Sequence, residues 1–163
     1  MNEKKFSALK LAQGGLIAAL YVVLTIIFAP ISFGEVQLRV AEALTILPLF
    51  TSVAVPGLFV GCIIANMLGG AVIWDIIFGS IATLLGAIGS YLLRNNRWLV
   101  PLPPILANSA IVPFVLRYAY GFDLPIPLLI LYIFIGEIGG CYILGELLAT
   151  VLMPYRSTLF KEK

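Results

Sequence analysis

Long apolar runs, broken by proline, glycine and small charged clusters, dominate this chain. A helix that crosses a bilayer needs about 20 apolar residues, within a range of about 17–25. The first such run goes from Ser7 to Ala29 and stops at Pro30. Its apolar stretch from Leu11 exceeds the roughly 7–15 residues of a signal-peptide core, and no A-x-A site follows, so it reads as a retained helix. A second helix is expected over about 40–51, with Pro48 inside it, and a third over about 56–68. Pro56-Gly57 marks the join between them. Both are short for a full crossing. The fourth is expected over about 73–93, ended by Arg94-Asn95-Asn96-Arg97. The fifth covers about 102–120, with Pro113 expected to kink it. The sixth covers about 126–153 and ends at Pro154. The pattern predicts an all-α membrane protein: a single domain over 1–163 with six transmembrane helices and short charged tails.

Composition supports this reading. Of 163 residues, 61% are hydrophobic and 11% charged, and mean hydropathy is +1.09. A soluble domain carries roughly 25% charged residues. A soluble cytosolic enzyme and a disordered tail are both excluded. There is no histidine, which removes Ser–His–Asp and Cys–His catalysis, histidine-based zinc sites and haem on histidine. Cys62 and Cys141 lie in apolar stretches without C-x-x-C spacing and read as small buried hydrophobes. No metal site and no cofactor are expected. The pI near 8.6 reports orientation in a membrane, not nucleic-acid binding.

Lys4, Lys5 and Lys10 flank the first helix, Arg94 and Arg97 separate the fourth and fifth, and Arg156, Lys161 and Lys163 follow the sixth. With six crossings, these eight of the ten basic residues fall on one side. By the positive-inside rule that side, with both termini, is cytoplasmic. Only Arg39 and Arg117 fall toward the other side. Glu35, Asp75 and Asp123 lie in or near the outer loops, with Glu42 and Glu137 in the outer half of the membrane.

An ionisable group in hydrocarbon costs at least about 2.5–3.5 kcal/mol, so it faces a cavity or a partner. Glu137 has no basic neighbour in sequence, and Gly136 and Gly140 beside it permit close backbone approach. It is either a structural carboxylate bonded to a neighbouring helix or a ligand contact, and the second is favoured. Glu146, nine residues on, faces about 180° away and reads as an interhelical or partner contact. In Phe33–Leu44, Glu35, Arg39 and Glu42 share a face if the segment is helical from Glu35, and can then pair. That stretch is either a charged helix entry or part of a transport site, because short, broken helices at depth line cavities. Asn66 and Asn108 are either helix glue or ligand contacts. Trp74, Tyr118 and Tyr120 suit an interfacial aromatic belt, and also suit stacking on a flat ring. Together these groups point to a planar, hydrogen-bond-donating small molecule, either neutral or cationic.

Ala8, Ala12, Gly15 and Ala19 form one stripe on the first helix, which Gly14 and Ala18 widen. Such a stripe serves either packing within the chain or docking of another membrane protein.

The motifs Phe33-Gly34-Glu35-Val36-Gln37-Leu38-Arg39-Val40-Ala41-Glu42-Ala43-Leu44, Leu47-Pro48-Leu49-Phe50-Thr51, Val55-Pro56-Gly57-Leu58-Phe59-Val60-Gly61-Cys62 and Ile73-Trp74-Asp75-Ile76-Ile77-Phe78-Gly79-Ser80 closely resemble the QueT family. So do Pro103-Pro104 and Gly136-Glu137. QueT proteins are queuosine-precursor binding subunits, or S components, of energy-coupling-factor (ECF) transporters. The resemblance implies a six-helix S-component fold in the bacterial cell membrane and a 7-deazaguanine substrate such as preQ0, preQ1 or queuine. It also implies two kinds of partner: a transmembrane coupling protein, which contacts the small-residue stripe, and two cytoplasmic ATPases. A carboxylate can accept two ring N–H groups at once. Glu137 is the first candidate and Glu42 the second. Asn66, Gln37 and Asn108 can read the carbonyl and ring nitrogens, and Trp74 or Tyr120 can stack. Asp75 or Glu35 can neutralise an ammonium, while Arg39 orients the acids. No G-x-x-x-x-G-K-[ST] loop is present, so the chain reads as a non-enzymatic binding subunit. The alternatives are an S component for another vitamin-like molecule or a self-sufficient small permease.

Overall fold

The computed structural model describes residues 8–33 and 37–160. All six expected helical regions are helical, and no strand occurs among the described residues. Helix α1 runs over Ala8–Ile27 and is followed by a short α2, Ala29–Ser32. Pro30 does not end the first helix as expected. It occupies the first turn of α2, where a missing N–H carries no penalty.

The second expected helix, 40–51, is a 3₁₀ helix over Val40–Leu49. Hydrophobic spacing alone does not separate the two helix types. At about 2.0 Å rise per residue against 1.5 Å, ten residues reach roughly 20 Å instead of 15 Å. Residues 41–49 are all buried, so this strut passes through the centre of the bundle. Helix α3 spans Ala54–Leu68. The join therefore lies at residues 50–53, and Pro56 sits in the first turn of α3 instead of marking the boundary.

Helix α4 covers Ile73–Leu92 and α5 covers Leu102–Tyr118. Then α6, Ile126–Glu137, continues through a π segment, Ile138–Leu144, into α7, Gly145–Leu152. A short α8, Arg156–Leu159, follows. Among the described residues, four helical stretches are long and apolar enough to cross a membrane, and two, Val40–Leu49 and Ala54–Leu68, are shorter.

Small residues set the packing. A Cβ on Gly57 would stand 2.9 Å from the Gly14 carbonyl oxygen, and one on Gly61 would stand 3.0 Å from Ala18 Cα. These contacts bring α1 and α3 together. On α4, Gly86 and Gly89 receive Pro104 and Pro103 at the start of α5, at 2.6 and 2.5 Å from the corresponding Cβ positions. Exposure is inverted relative to a soluble protein. Leu11 is 72% exposed while Glu42 is 1% exposed. Apolar side chains face out while Arg39, Glu42, Asp75 and Glu137 are buried, the arrangement a hydrocarbon solvent selects. The protein is a membrane protein with a polar interior.

Candidate functional site

Two polar groups meet inside the bundle. The first joins α1, the 3₁₀ helix and the π segment. Tyr21 Oη donates to Glu42 Oε1 at 2.5 Å. Cys141 Sγ lies 3.8 Å from Glu42 Oε2 and donates to Glu137 Oε2 at 3.0 Å. Thr45 Oγ1 donates to the Glu42 carbonyl at 2.6 Å. Asn108 of α5 lies against Glu137, yet neither amide atom has a hydrogen-bond partner. The backbone makes the meeting possible. Cβ atoms on Gly136 and Gly140 would stand 2.6 Å from the Gln37 oxygen and 2.8 Å from the Arg39 oxygen, so only glycine lets the sixth stretch touch the strut. The π turns then carry Cys141 between the two acids. Such turns recur at functional sites.

The second group lies where α3, α4 and the α5–α6 connection converge. Arg39 Nη2 stands 3.8 Å from Asp75 Oδ2, and Arg39 Nε donates to the Ser32 carbonyl. Tyr120 Oη donates to Asp75 Oδ2 at 2.9 Å and accepts from the Val72 N–H at 3.4 Å. Asn66 Nδ2 donates to the Asp75 carbonyl at 3.3 Å. Burial and the adjoining Asp75 carboxylate, which accepts its hydrogen bond, push the Tyr120 hydroxyl up to about 12. Arg39 Nη2, Asn66 Oδ1, Asp75 Oδ1 and Ser80 Oγ are buried without hydrogen-bond partners.

Most of the residues singled out in sequence are thus brought together: Glu42 with Glu137 and Asn108, and Arg39 with Asp75, Asn66 and Tyr120. Gln37 is buried with its backbone against Gly136. The expected Arg39–Glu42 ion pair is absent among the described residues. Arg39 precedes the helix in extended conformation, so the i,i+3 geometry does not arise, and its carboxylate partner is Asp75. Glu35 lies outside the described residues. Trp74 does not join either group. It stacks on Phe78 and, with Phe114 and Tyr118, lines an apolar groove of about 440 Å³ beside α4 and α5. Glu146 makes the expected interhelical contact: Arg97 Nε donates to its Oε2 at 2.5 Å. Of the small-residue stripe, Ala8, Ala12, Gly15 and Ala19 are exposed, while Ala18 is buried and Gly14 half-buried against α3. Sequence reasoning missed Tyr21 and the polar role of Cys141. The signals were a tyrosine at mid-span instead of at an interface, and a thiol four residues after a lone acid.

The profile of the QueT transporter family matches residues 11–154. The chain belongs to the QueT transporter family. The QueT protein of Lactococcus lactis subsp. cremoris, named a queuosine precursor transporter, is 33% identical over 84 residues. That match covers 50% of this chain and 49% of the relative, so it spans about half the length of each. No solved structure matches the chain.

Proposed function

We propose that this QueT-family chain is the substrate-capturing subunit of an ATP-driven ECF importer in the bacterial cell membrane. It crosses the membrane six times with both termini cytoplasmic and takes up a 7-deazaguanine queuosine precursor from outside. The observation that carries this reading is the Glu42–Glu137 pair beside the unpartnered Asn108 amide. Neither carboxylate has a cation within salt-bridge distance among the described residues. Buried acids without cations call for a donor-rich guest. Glu137 accepts the ring N1–H and exocyclic amine, Asn108 reads the carbonyl, and Glu42 offers charge to an ammonium where the guest carries one. Asn66, Asp75 and Arg39, each with an unpartnered buried atom, extend the polar lining, and Gln37 and Tyr120 border it. Trp74 reaches the guest only if α4 turns. The exposed stripe Ala8, Ala12, Gly15 and Ala19 is the docking face for the coupling protein, which links the chain to two ATPases.

Purified chain is expected to bind 7-deazaguanines without ATP, and Glu137→Gln to weaken binding by at least about tenfold, the loss of one charge-assisted hydrogen bond. Unchanged binding in a folded Glu137→Gln variant rejects the site. Uptake by vesicles containing this chain alone rejects the subunit role in favour of a permease.

A further inference from the structure

Two carboxylate oxygens and a sulfur, from Glu42, Glu137 and Cys141, lie within 4.8 Å of one another, and all three residues are buried. Ligand atoms around a tetrahedral zinc-type ion, with bonds of about 2.0–2.3 Å, stand roughly 3.3–3.8 Å apart. The sulfur already lies 3.0 Å from Glu137 Oε2 and 3.8 Å from Glu42 Oε2. Beside this trio the Asn108 side chain, 2% exposed, has neither its oxygen nor its nitrogen partnered. Asn108 lies against Glu137, and its carbonyl oxygen is the candidate fourth donor. Tyr21 Oη occupies the other Glu42 oxygen, Oε1, which orients the carboxylate and leaves Oε2 turned toward the thiol. A hydrogen-bonded outer partner of this kind is a regular feature of metal sites.

We infer that Glu42, Glu137 and Cys141, completed by Asn108, form a binding site for a thiophilic divalent cation of the zinc class. The thiolate sets the selectivity, since magnesium and calcium favour all-oxygen sets. On binding, the Cys141 S–H bond breaks, a sulfur–metal bond forms and the proton leaves to water. No electron is transferred. The metal and a guest on Glu137 exclude each other, but the site itself needs only these side chains and does not depend on the transport reading.

The full chain in detergent micelles is titrated with cadmium, followed by the ultraviolet thiolate-to-cadmium band, and with zinc by calorimetry. Magnesium serves as comparison. One ion is expected per chain, with release of a proton. The band disappears in Cys141→Ser and persists in Cys62→Ser, and zinc binds at least about tenfold more weakly in Asn108→Ala. Should Cys141→Ser not fold, zinc is expected to protect Cys141 from a small thiol reagent in the Cys62→Ser chain. Absence of the band in the unsubstituted chain, a band that survives loss of Cys141, magnesium binding as tight as zinc, or an unprotected thiol overturns the inference. Metal binding without 7-deazaguanine binding upholds it and ends the transport reading. Guest binding without metal binding does the reverse.

Discussion

Tyr21 on α1 donates its hydroxyl proton to Glu42 on the central 3₁₀ strut, and both side chains are buried, at 0% and 1% exposure. The bond gives a mid-membrane carboxylate one strong donor and fastens the first helix to the strut. In Tyr21→Phe the Glu42 oxygen stays buried and unpaired, a loss of about 1–3 kcal/mol. A lower unfolding temperature in detergent, largely regained in Tyr21→Phe/Glu42→Met, in which both polar partners are gone, checks this. An unchanged midpoint in the single variant refutes it.

Gly140 and Gly136 hold the π segment and α6 against the backbone at Arg39 and Gln37, with no room for a methyl group. Gly140→Ala is expected to destabilise by about 1–3 kcal/mol through overpacking. It also moves Cys141 and Glu137 away from Glu42, so guest binding falls in proportion. Gly15→Ala is the control, because a Cβ there meets nothing within 4 Å. Denaturant titration of both variants makes the comparison.

Tyr120, in the α5–α6 connection, carries a hydroxyl pushed up to about 12 from an ordinary 10.0. The folded state therefore favours its neutral form. Its contribution to stability is complete below about pH 10 and is lost as pH rises through about 12. Absorbance titration of tyrosinate is expected to show a late component that Tyr120→Phe removes. If the two titration curves superimpose, the Tyr120–Asp75 hydrogen bond does not hold the proton.

The exposed stripe on α1 predicts a separation of effects. Gly15→Leu leaves stability within about 0.5 kcal/mol, as surface changes do, yet blocks co-purification with the proposed coupling protein. Intact assembly in that variant places the docking face elsewhere.

The helical class, the positions of the six helical regions and the membrane setting were legible along the chain, because apolar run length and charge placement report directly on the solvent around a helix. Glu137, Glu42 and Asn108 stood out for the same local reason: each is a polar group in or beside an apolar run. Asp75 was expected in or near an outer loop, and the structure buries it at 1% exposure. Their grouping was not legible. Glu42 and Glu137 are 95 positions apart in the chain, and their meeting depends on a 3₁₀ strut and π turns, which share the apolar spacing of ordinary helices. Arg39 illustrates the limit. Its spacing to Glu42 suits pairing on a helix, but its extended backbone directs it to Asp75. Local chemistry says which side chains need a partner, and three-dimensional packing alone selects it, since contact energies fall off within a few ångströms whatever the separation in sequence.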